Sequence, residues 1–202
     1  MARILILFAH PALEKSRVHS CLLKHIRHID GVTFHDLYEA YPDFDIDIQR
    51  EQQLLLAHDI IVFQHPFYWY SSPAILKQWQ DLVLEHGWAY GSKGKMLAGK
   101  NLFNAISAGG TPEAYRSEGY NRFTIRELLT PFEQTARLCN MNYLPPYVVH
   151  GTHRLKKTDI ELCAVQYEQL LIALANDRIS EQEWKAVKYL NELVPISQSL
   201  QS

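Results

Sequence analysis

Short apolar runs alternate with longer amphipathic runs along this chain. The continuous apolar runs "ILILFA", "DIIVF" and "LFNAIS" predict strands that are buried on both faces, whereas the alternating run "VTFHDLY" predicts an edge strand. The predicted strands lie near residues 3–9, 32–37, 59–64, 101–107 and 145–150. The predicted helices lie near residues 16–29, 48–57, 73–86, 124–140 and 158–175. This order indicates the α/β class, with a doubly wound, five-stranded parallel sheet and helices on both faces.

The composition narrows the classes of function. Hydrophobic residues make up 47% of the 202 residues and charged residues 21%, which is typical of a globular protein. The net charge of −2 provides no basic field, so no nucleic acid is expected as a partner. Cys21, Cys139 and Cys163 are odd in number and widely spaced, which fits neither a disulfide framework nor a four-ligand zinc site and indicates a reducing cytosol.

The histidines and the apolar runs predict neither a metal centre nor a membrane span. The ten histidines are scattered, with no HExxH motif, so no metal site is predicted. No run approaches the roughly 18–20 apolar residues that cross a bilayer, so any membrane association is expected to be peripheral. Residues 1–178 are predicted to form one domain and residues 179–202 a C-terminal helical extension, because the segment after 178 has the pattern of one more amphipathic helix with a polar tail.

Three loops are the candidates for a binding site. In doubly wound sheets, ligands bind beyond the carboxyl ends of the strands. This rule selects "HPALEKSRVHS" after the first strand, "HPFYWYSSP" after the third and "AGGTPEAYRSEGYNR" after the fourth. These are also the loops with the most unusual chemistry, so we expect them to converge on one pocket.

The first loop has the features of an anion site. Ser16 is a good N-cap residue, and the free N–H groups of the helix that begins there favour a phosphate. Arg17 and His19 add cationic donors, and His10 at the strand exit is placed to reach the same anion. The alternative is ordinary helix capping with solvated charges. The sequence has no GxGxxG or Walker motif, which disfavours a Rossmann dinucleotide site or a P-loop.

The second loop carries four consecutive aromatic residues at 67–70, which match neither the period of a strand nor that of a helix. Pro66 ends the strand and Pro73 begins a helix, so the backbone between them is expected to be irregular, with the amides of residues 67–69 free to bond the edge of a planar heterocycle. Phe67 and Trp69 are placed to press against its face. The alternative is contact with another subunit, and the two roles are compatible.

The third loop has little side-chain bulk. Ser107, Ala108, Gly109 and Gly110 would let the backbone approach a ligand closely, and they would equally permit an ordinary tight turn. Tyr115 follows five residues later. It is a candidate hydrogen-bond donor over the ligand, with a surface or core tyrosine as the alternative.

Six strings in order resemble a single family: "FAHP", "LYEAYPDFDIDIQREQ", "HPFYWYSSPAILKQW", "HGWAYG", "LAGK" and "FEQTARLCNMNYLPPYVVH". From about residue 3 to 175 the chain resembles the flavodoxin-like quinone reductases, and more closely the Kef ancillary proteins, cytosolic partners of the glutathione-gated potassium efflux systems of Gram-negative bacteria. "YPDFDIDIQREQ" is the most specific string. Its charges are expected either in a solvated loop or, by resemblance, in contact with the channel.

The resemblance implies a flavodoxin-like domain over residues 1–178 and roles for the residues that match the family motifs. The flavin phosphate would lie against His10 and the turn formed by Ser16, Arg17, Val18 and His19. The flavin ring would lie against Pro66, Phe67, Tyr68 and Trp69 on one side and Ser107, Ala108, Gly109 and Gly110 on the other.

Two positions depart from the family pattern. His19 stands where relatives usually carry asparagine, and Asn121 stands where related quinone reductases carry a histidine six residues after the tyrosine. Asparagine can donate a hydrogen bond but cannot take up a proton. Tyr115 and Asn121 are the candidate catalytic residues, which would orient the substrate.

The resemblance also implies an activity and partners. The implied protein is an FMN-dependent NAD(P)H:quinone oxidoreductase, with FAD as the alternative flavin and NADH or NADPH as the electron donor. It would be a homodimer, with aromatic residues near 67–70 and 88–90 at the interface, and would act as ancillary subunit of a Kef-type potassium efflux protein, cytoplasmic and peripheral on the inner membrane. The alternative is a non-catalytic regulatory subunit with a vestigial flavin cleft.

Overall fold

The computed structural model describes residues 1–194 and contains one parallel sheet. Its strands are β1 (Ile4–Phe8), β2 (Val32–Asp36), β3 (Ile60–Pro66), β4 (Asn101–Ala108), β5 (Asn142–Tyr143) and β6 (Tyr147–His150). The helices are α1 (Arg17–Ile26), α2 (Leu37–Ala40), α3 (Ile48–Ala57), α4 (Ala74–Val83), α5 (Ile125–Leu128), α6 (Thr130–Leu138), α7 (Lys157–Ala175) and α8 (Glu181–Lys185). Single 3₁₀ turns occupy Leu13–Lys15, Pro112–Ala114 and Leu190–Leu193.

The strand order is β2-β1-β3-β4, followed by β5 and β6, which both pair with β4. This is the doubly wound order expected of a flavodoxin-like sheet, and β2 lies at the edge as predicted. Strand β6 corresponds to the fifth predicted strand, and β5 is an additional short strand that was not predicted. Pro145 and Pro146 separate β5 from β6, because proline has no N–H to donate to the ladder.

The two faces of the sheet carry separate hydrophobic cores. Side chains alternate along β1, so that Leu5 and Leu7 pack on one side with α3, α4 and α6, whereas Ile4, Ile6 and Phe8 pack on the other with α1 and α7. Helices therefore cover both faces, as predicted. Across residues 1–194, none of the helices combines the length and apolar character needed to cross a bilayer.

Three helical segments differ from the predictions. The helix expected at 124–140 is divided into α5 and α6, because Leu129 leaves helical geometry just before Pro131. Helix α2 was not predicted, and begins where Asp36 accepts hydrogen bonds from the Tyr38 and Glu39 N–H groups. The segment after 178 forms the short α8 and the turn Leu190–Leu193, while residues 195–202 lie outside the described part of the chain.

The C-terminal segment is tied to the sheet up to residue 194. Leu190 is fully buried, and Val148 N–H donates to Asn191 Oδ1 at 2.9 Å. Gln166 on α7 donates to the carbonyls of Asn191 at 2.9 Å and Val194 at 2.7 Å. These contacts attach the last described turn to β6 and α7.

The string "YPDFDIDIQREQ" contains a buried carboxylate, that of Glu51. Glu51 on α3 is fully buried and accepts hydrogen bonds from His35 Nε2 at 2.8 Å, Tyr41 Oη at 2.6 Å and Trp79 Nε1 at 2.8 Å. Burial acts to raise the pKa of Glu51, but the hydrogen bonds of His35, Tyr41 and Trp79 outweigh it and lower the pKa. Glu51 therefore joins β2, α3 and α4, and is neither solvated nor free to contact a channel.

Candidate functional site

The first loop ends in a well-formed helix start. Ser16 Oγ accepts from the His19 N–H at 3.1 Å, which makes Ser16 the N-cap of α1 as predicted. The N–H groups of Arg17 and Val18 have no protein acceptor among residues 1–194. The Arg17 guanidinium donates to Leu155 O at 2.8 Å, which holds it beside this helix start. The result is a group of donors suited to an anion.

His10 stands at the end of β1 as a neutral donor. Ala12 N–H donates to His10 Nδ1 at 3.2 Å, so a neutral ring carries its proton on Nε2. Burial lowers the pKa of His10, while the nearby Glu14 acts to raise it. Nε2 has no protein partner among residues 1–194 and is free to donate to a ligand.

The second loop contains a β-turn in which two aromatic residues have left-handed backbone angles. Ser71 N–H donates to Tyr68 O at 2.9 Å, and φ is 50° at Trp69 and 62° at Tyr70. Successive positive angles of this kind belong to a type I′ turn, which usually holds glycine or asparagine. For larger residues the conformation costs about 1–2 kcal/mol each. The turn leaves Trp69 93% exposed, and strain of this kind is concentrated at functional sites.

The amides of this loop are less available than predicted. Phe67 N–H donates to Ser107 O at 2.9 Å because it continues the β3–β4 ladder, and Tyr68 N–H donates to Pro66 O at 2.9 Å. The prediction of free amides at 67 and 68 is therefore wrong. Within the described chain, only Trp69 N–H of the three lacks a protein acceptor.

The third loop requires glycine because of space and not because of backbone angle. Neither Gly109 nor Gly110 has a left-handed φ. A Cβ on Gly109 would lie 3.0 Å from His153 Nε2, and a Cβ on Gly110 would lie 2.9 Å from a ring carbon of Tyr115. Within residues 1–194 the Gly109 N–H lacks a protein acceptor, whereas the Gly110 N–H faces the Tyr115 hydroxyl. The loop thus presents backbone amides at a surface that a side chain would obstruct.

The three loops meet in one cleft made of two adjoining cavities of about 390 and 460 Å³, both lined by Phe67 and Gly109. The first cavity is lined by His10, Ala12, Lys15, Ser16, Arg17, Val18, Pro66, Phe67, Tyr68, Ser107, Gly109, Thr152 and His153. The second is lined by Phe67, Trp69, Tyr70, Gly109, Gly110, Thr111, Ala114, Tyr115, Tyr120, Asn121 and Arg154. The predicted convergence of the loops is therefore found in the structure.

A family model, Flavodoxin_2, described as having a flavodoxin-like fold, matches residues 2–171. The chain belongs to the Flavodoxin_2 family. The predicted family resemblance and fold are thereby confirmed.

Three relatives of this Flavodoxin_2 protein differ in what their names describe. The glutathione-regulated potassium-efflux system ancillary protein KefG of Serratia proteamaculans is 47% identical over 165 residues, which cover 82% of this chain and 90% of KefG. General stress protein 14 of Treponema denticola, solved in complex with FMN, is 43% identical with a TM-score of 0.81, covering 85% of this chain and 99% of that one. An NADPH-quinone reductase from P. pentosaceus is 36% identical with a TM-score of 0.75, covering 83% and 96% respectively.

His19 and Ala108 are the two predicted flavin-site residues that do not line the cleft of this Flavodoxin_2 protein. His19 is fully buried below the floor, where its Nε2 lies 3.0 Å from Ser107 Oγ and its Nδ1 lies 3.4 Å from Gln64 Nε2. Tyr167 Oη donates to Gln64 Oε1 at 3.1 Å. The NH₂ group of Gln64 faces His19 Nδ1, so Nδ1 accepts and the ring proton is on Nε2. His19 Nε2 therefore donates to Ser107 Oγ. The hydroxyl hydrogen of Ser107 is then free to donate to a ligand in the cleft.

His65 supports the opposite side of the same strand end. Its Nδ1 donates to Pro66 O at 2.9 Å, its Nε2 accepts from Asn104 Nδ2 at 3.0 Å, and Asn104 Oδ1 accepts from Tyr143 Oη at 2.6 Å. Burial lowers the pKa of His65 to about 4, so the ring is neutral at physiological pH. These hydrogen bonds fix the position of the Pro66 carbonyl, after which the aromatic residues 67–70 follow.

The two candidate catalytic residues both line the second cavity. Tyr115 is nearly buried, and its ring centroid lies 6.1 Å from that of Phe67. Burial raises the pKa of Tyr115, and the neighbouring Tyr70 adds to the effect. Asn121 Oδ1 accepts from Tyr70 Oη at 3.2 Å, which links the second and third loops.

The loop after β6 also reaches the cleft and was missed by the sequence reasoning. Thr152 and His153 line the first cavity and Arg154 the second. The rule that selected the other loops applies equally to the carboxyl end of the fifth predicted strand, where "GTHR" was the available signal. By contrast, Trp88 and Tyr90, expected at a dimer interface, pack partly buried against the core.

Proposed function

We propose that this chain is an FMN-dependent NAD(P)H:quinone oxidoreductase that serves as ancillary subunit of a Kef-type potassium efflux protein. The single observation that supports this proposal best is the continuous cleft. Donors for a phosphate stand at one end, and a strained aromatic turn faces a pair of side-chain-free glycines at the other. The FMN-bound relative and the NADPH-quinone reductase support the same assignment.

The residues present fit FMN. His10, Ser16, Arg17 and Val18, with Lys15 beside them, would hold the phosphate. Phe67, Tyr68, Trp69 and the backbone of Gly109 and Gly110 would hold the ring. A Cβ at Gly109 would come too close to His153, and a Cβ at Gly110 would come too close to Tyr115. FAD is the alternative flavin.

When bound, FMN would supply the two-electron redox chemistry that links NADH or NADPH to a quinone. The protein's own residues would bind, orient and stabilise charge. The amides of Trp69 and Gly109 would donate to a negatively charged ligand edge, in the manner of an oxyanion hole. Tyr115 and Asn121 would orient the substrate at the open side of the cleft.

The assembly is part of the proposal. Trp69 is 93% exposed and Tyr120 is 91% exposed, and both line the open cavity, so a second subunit would cover them in a homodimer. The KefG relative is named as an ancillary protein of a potassium-efflux system, which supports docking to an efflux protein. Docking from the cytoplasmic side, with a peripheral association with the inner membrane, belongs to the same proposal.

A non-catalytic regulatory subunit is the second candidate, and Asn121 favours it. The position offers no proton acceptor, so proton transfer to or from substrate would have to be carried by another group. In that case the cleft would serve docking or sensing without turnover.

The test is the absorbance spectrum and released cofactor mass of protein purified after flavin supplementation, followed by NAD(P)H oxidation with a quinone. Gly109→Val should lose the flavin because its side chain enters the cleft, whereas Ala98→Val, at an exposed position outside it, should keep the flavin. Full flavin content in Gly109→Val would refute the placement of the ring. A Gly109→Val protein without flavin that still stimulates efflux would favour the regulatory role.

A further inference from the structure

A second group of chemically reactive side chains lies between α1 and α7, apart from the cleft. Cys21 and His25 are one turn apart on α1, and Glu161 and Glu168 are two turns apart on α7. His25 Nε2 lies 2.7 Å from Glu161 Oε1, and Cys21 Sγ lies 3.1 Å from Glu161 Oε2. One ligand atom from each of Cys21, His25 and Glu161 lies within 4.8 Å of the other two.

Hydrogen bonds link the members of this cluster. Carboxylates only accept hydrogen bonds, so the thiol of Cys21 and both nitrogens of His25 must carry the protons that face Glu161 and Glu168. Burial raises the pKa of the Cys21 thiol to about 11, and its hydrogen bond to Glu161 adds to this. The hydrogen bond to Glu168 is the main cause of the raised pKa of His25.

We propose that Cys21 Sγ, His25 Nε2 and the Glu161 carboxylate form a site for Zn²⁺ or a similar borderline divalent metal ion. Glu168 would be an outer partner. It accepts from His25 Nδ1 at 3.0 Å, an arrangement that leaves Nε2 as the coordinating atom once its own proton is lost. A carboxylate that fixes a metal-binding histidine in this way is typical of zinc sites.

The donor set selects the metal class. Thiolate sulfur and imidazole nitrogen favour zinc or cobalt over magnesium and calcium, which require oxygen ligands. The charge also balances, because one divalent ion would replace two protons, one from Cys21 Sγ and one from His25 Nε2. The net charge of the four side chains and their bound ions would therefore be unchanged.

Metal binding would require the side chains to rearrange. Tetrahedral zinc with bonds of about 2.0–2.3 Å places its ligand atoms about 3.3–3.6 Å apart. The contacts of 2.7 and 3.1 Å, which involve different oxygens of Glu161, would open by roughly half an ångström, and the three ligand atoms, which lie within 4.8 Å of one another, would move to this common spacing. The Glu161 side chain is 52% exposed and has room to move outward. Solvent reaches the same side, so water would complete the coordination.

The experiment is titration of tag-free, full-length protein with Co²⁺, which reports a tetrahedral thiolate site by ligand-field bands at longer wavelengths than flavin absorption. Zn²⁺ should then displace Co²⁺ and abolish the bands. Cys21→Ser and His25→Gln should lose them. Glu168→Gln should keep them with metal affinity reduced about 10–100-fold.

Cys139→Ser and Cys163→Ser are the matched controls. Cys139 lies in the core on the opposite side of the sheet, and Cys163 on α7 is not one of the three proposed ligands. Both variants should therefore keep the wild-type bands. Circular dichroism of each variant establishes that it is folded. Absence of the bands in wild type, their persistence in folded Cys21→Ser, or their loss in Cys163→Ser would each overturn the site.

Discussion

Replacement of Glu51 by glutamine tests whether the family-specific string is a structural network. The carboxylate accepts from His35 and Tyr41 through Oε1 and from Trp79 through Oε2, and all of it is buried. Glutamine preserves the shape and one acceptor oxygen. Its NH₂ group, however, would take the place of Oε2. Two donors, this NH₂ and the Trp79 N–H, would then face each other.

The expected cost can be worked from these contacts. A hydrogen bond to a charged group contributes about 1.5–3 kcal/mol, and an unsatisfied buried donor costs about 1–3 kcal/mol. Glu51→Gln loses the bond to Trp79 and leaves two donors opposed, so the free energy of unfolding should fall by about 3–5 kcal/mol. For a chain of this size that corresponds to a decrease in Tm of about 6–20 °C.

Urea unfolding followed by tryptophan fluorescence measures the change. Asp43→Asn is the matched control, because Asp43 belongs to the same string but is exposed, and it should change stability by no more than about 0.5 kcal/mol. If Glu51→Gln unfolds within about 1 kcal/mol of wild type, the network contributes little to the stability of the fold. Contact with a partner would then explain the string better.

Three further predictions concern the cleft. Trp69→Gly should raise the free energy of unfolding by about 1 kcal/mol, because glycine adopts the left-handed backbone angle without strain, and it should weaken flavin retention. A variant less stable than wild type in urea unfolding would show that the backbone of Trp69 is not strained. The pKa of His65 is about 4 when folded and about 6.5 when unfolded, so the unfolded chain binds the extra proton between those values and stability falls as pH drops through that range. His65→Met should reduce this slope by up to about 1.4 kcal/mol per pH unit, and an unchanged slope in urea unfolding at several pH values would contradict it. Asn121→His should speed quinone reduction and add a titration near pH 6.5 to its rate profile, and a profile without that titration would count against a proton-handling role at this position.

Much of the fold was predictable because its signals are local. The continuous apolar strands, the alternating edge strand and the Ser16 cap each depend on neighbouring residues, and each occurs as predicted. The convergence of three loops followed from topology alone. The errors in the helices also have local causes, such as Pro131 within the predicted helix at 124–140.

The details of the site required tertiary structure. The sequence shows that residues 67–70 are four aromatics, but only the β3–β4 ladder decides that the Phe67 amide is already bonded and that Trp69 faces solvent. It shows an unusual His19, but only packing against Gln64 and Ser107 places that ring below the cleft.

The sequence by itself determined the α/β class, the positions of most helices and strands and most of the loops that form the cleft. Helices and strands follow from hydrophobic periodicity, which involves neighbouring residues. The loops follow because ligands bind at the carboxyl ends of parallel strands. Only the tertiary structure decided which polar groups meet. Glu51 reaches His35 and Trp79, and Cys21 reaches Glu161 across 140 positions, through contacts that are distant in sequence and depend on how helices pack on the sheet. Such contacts leave no periodic trace in the chain.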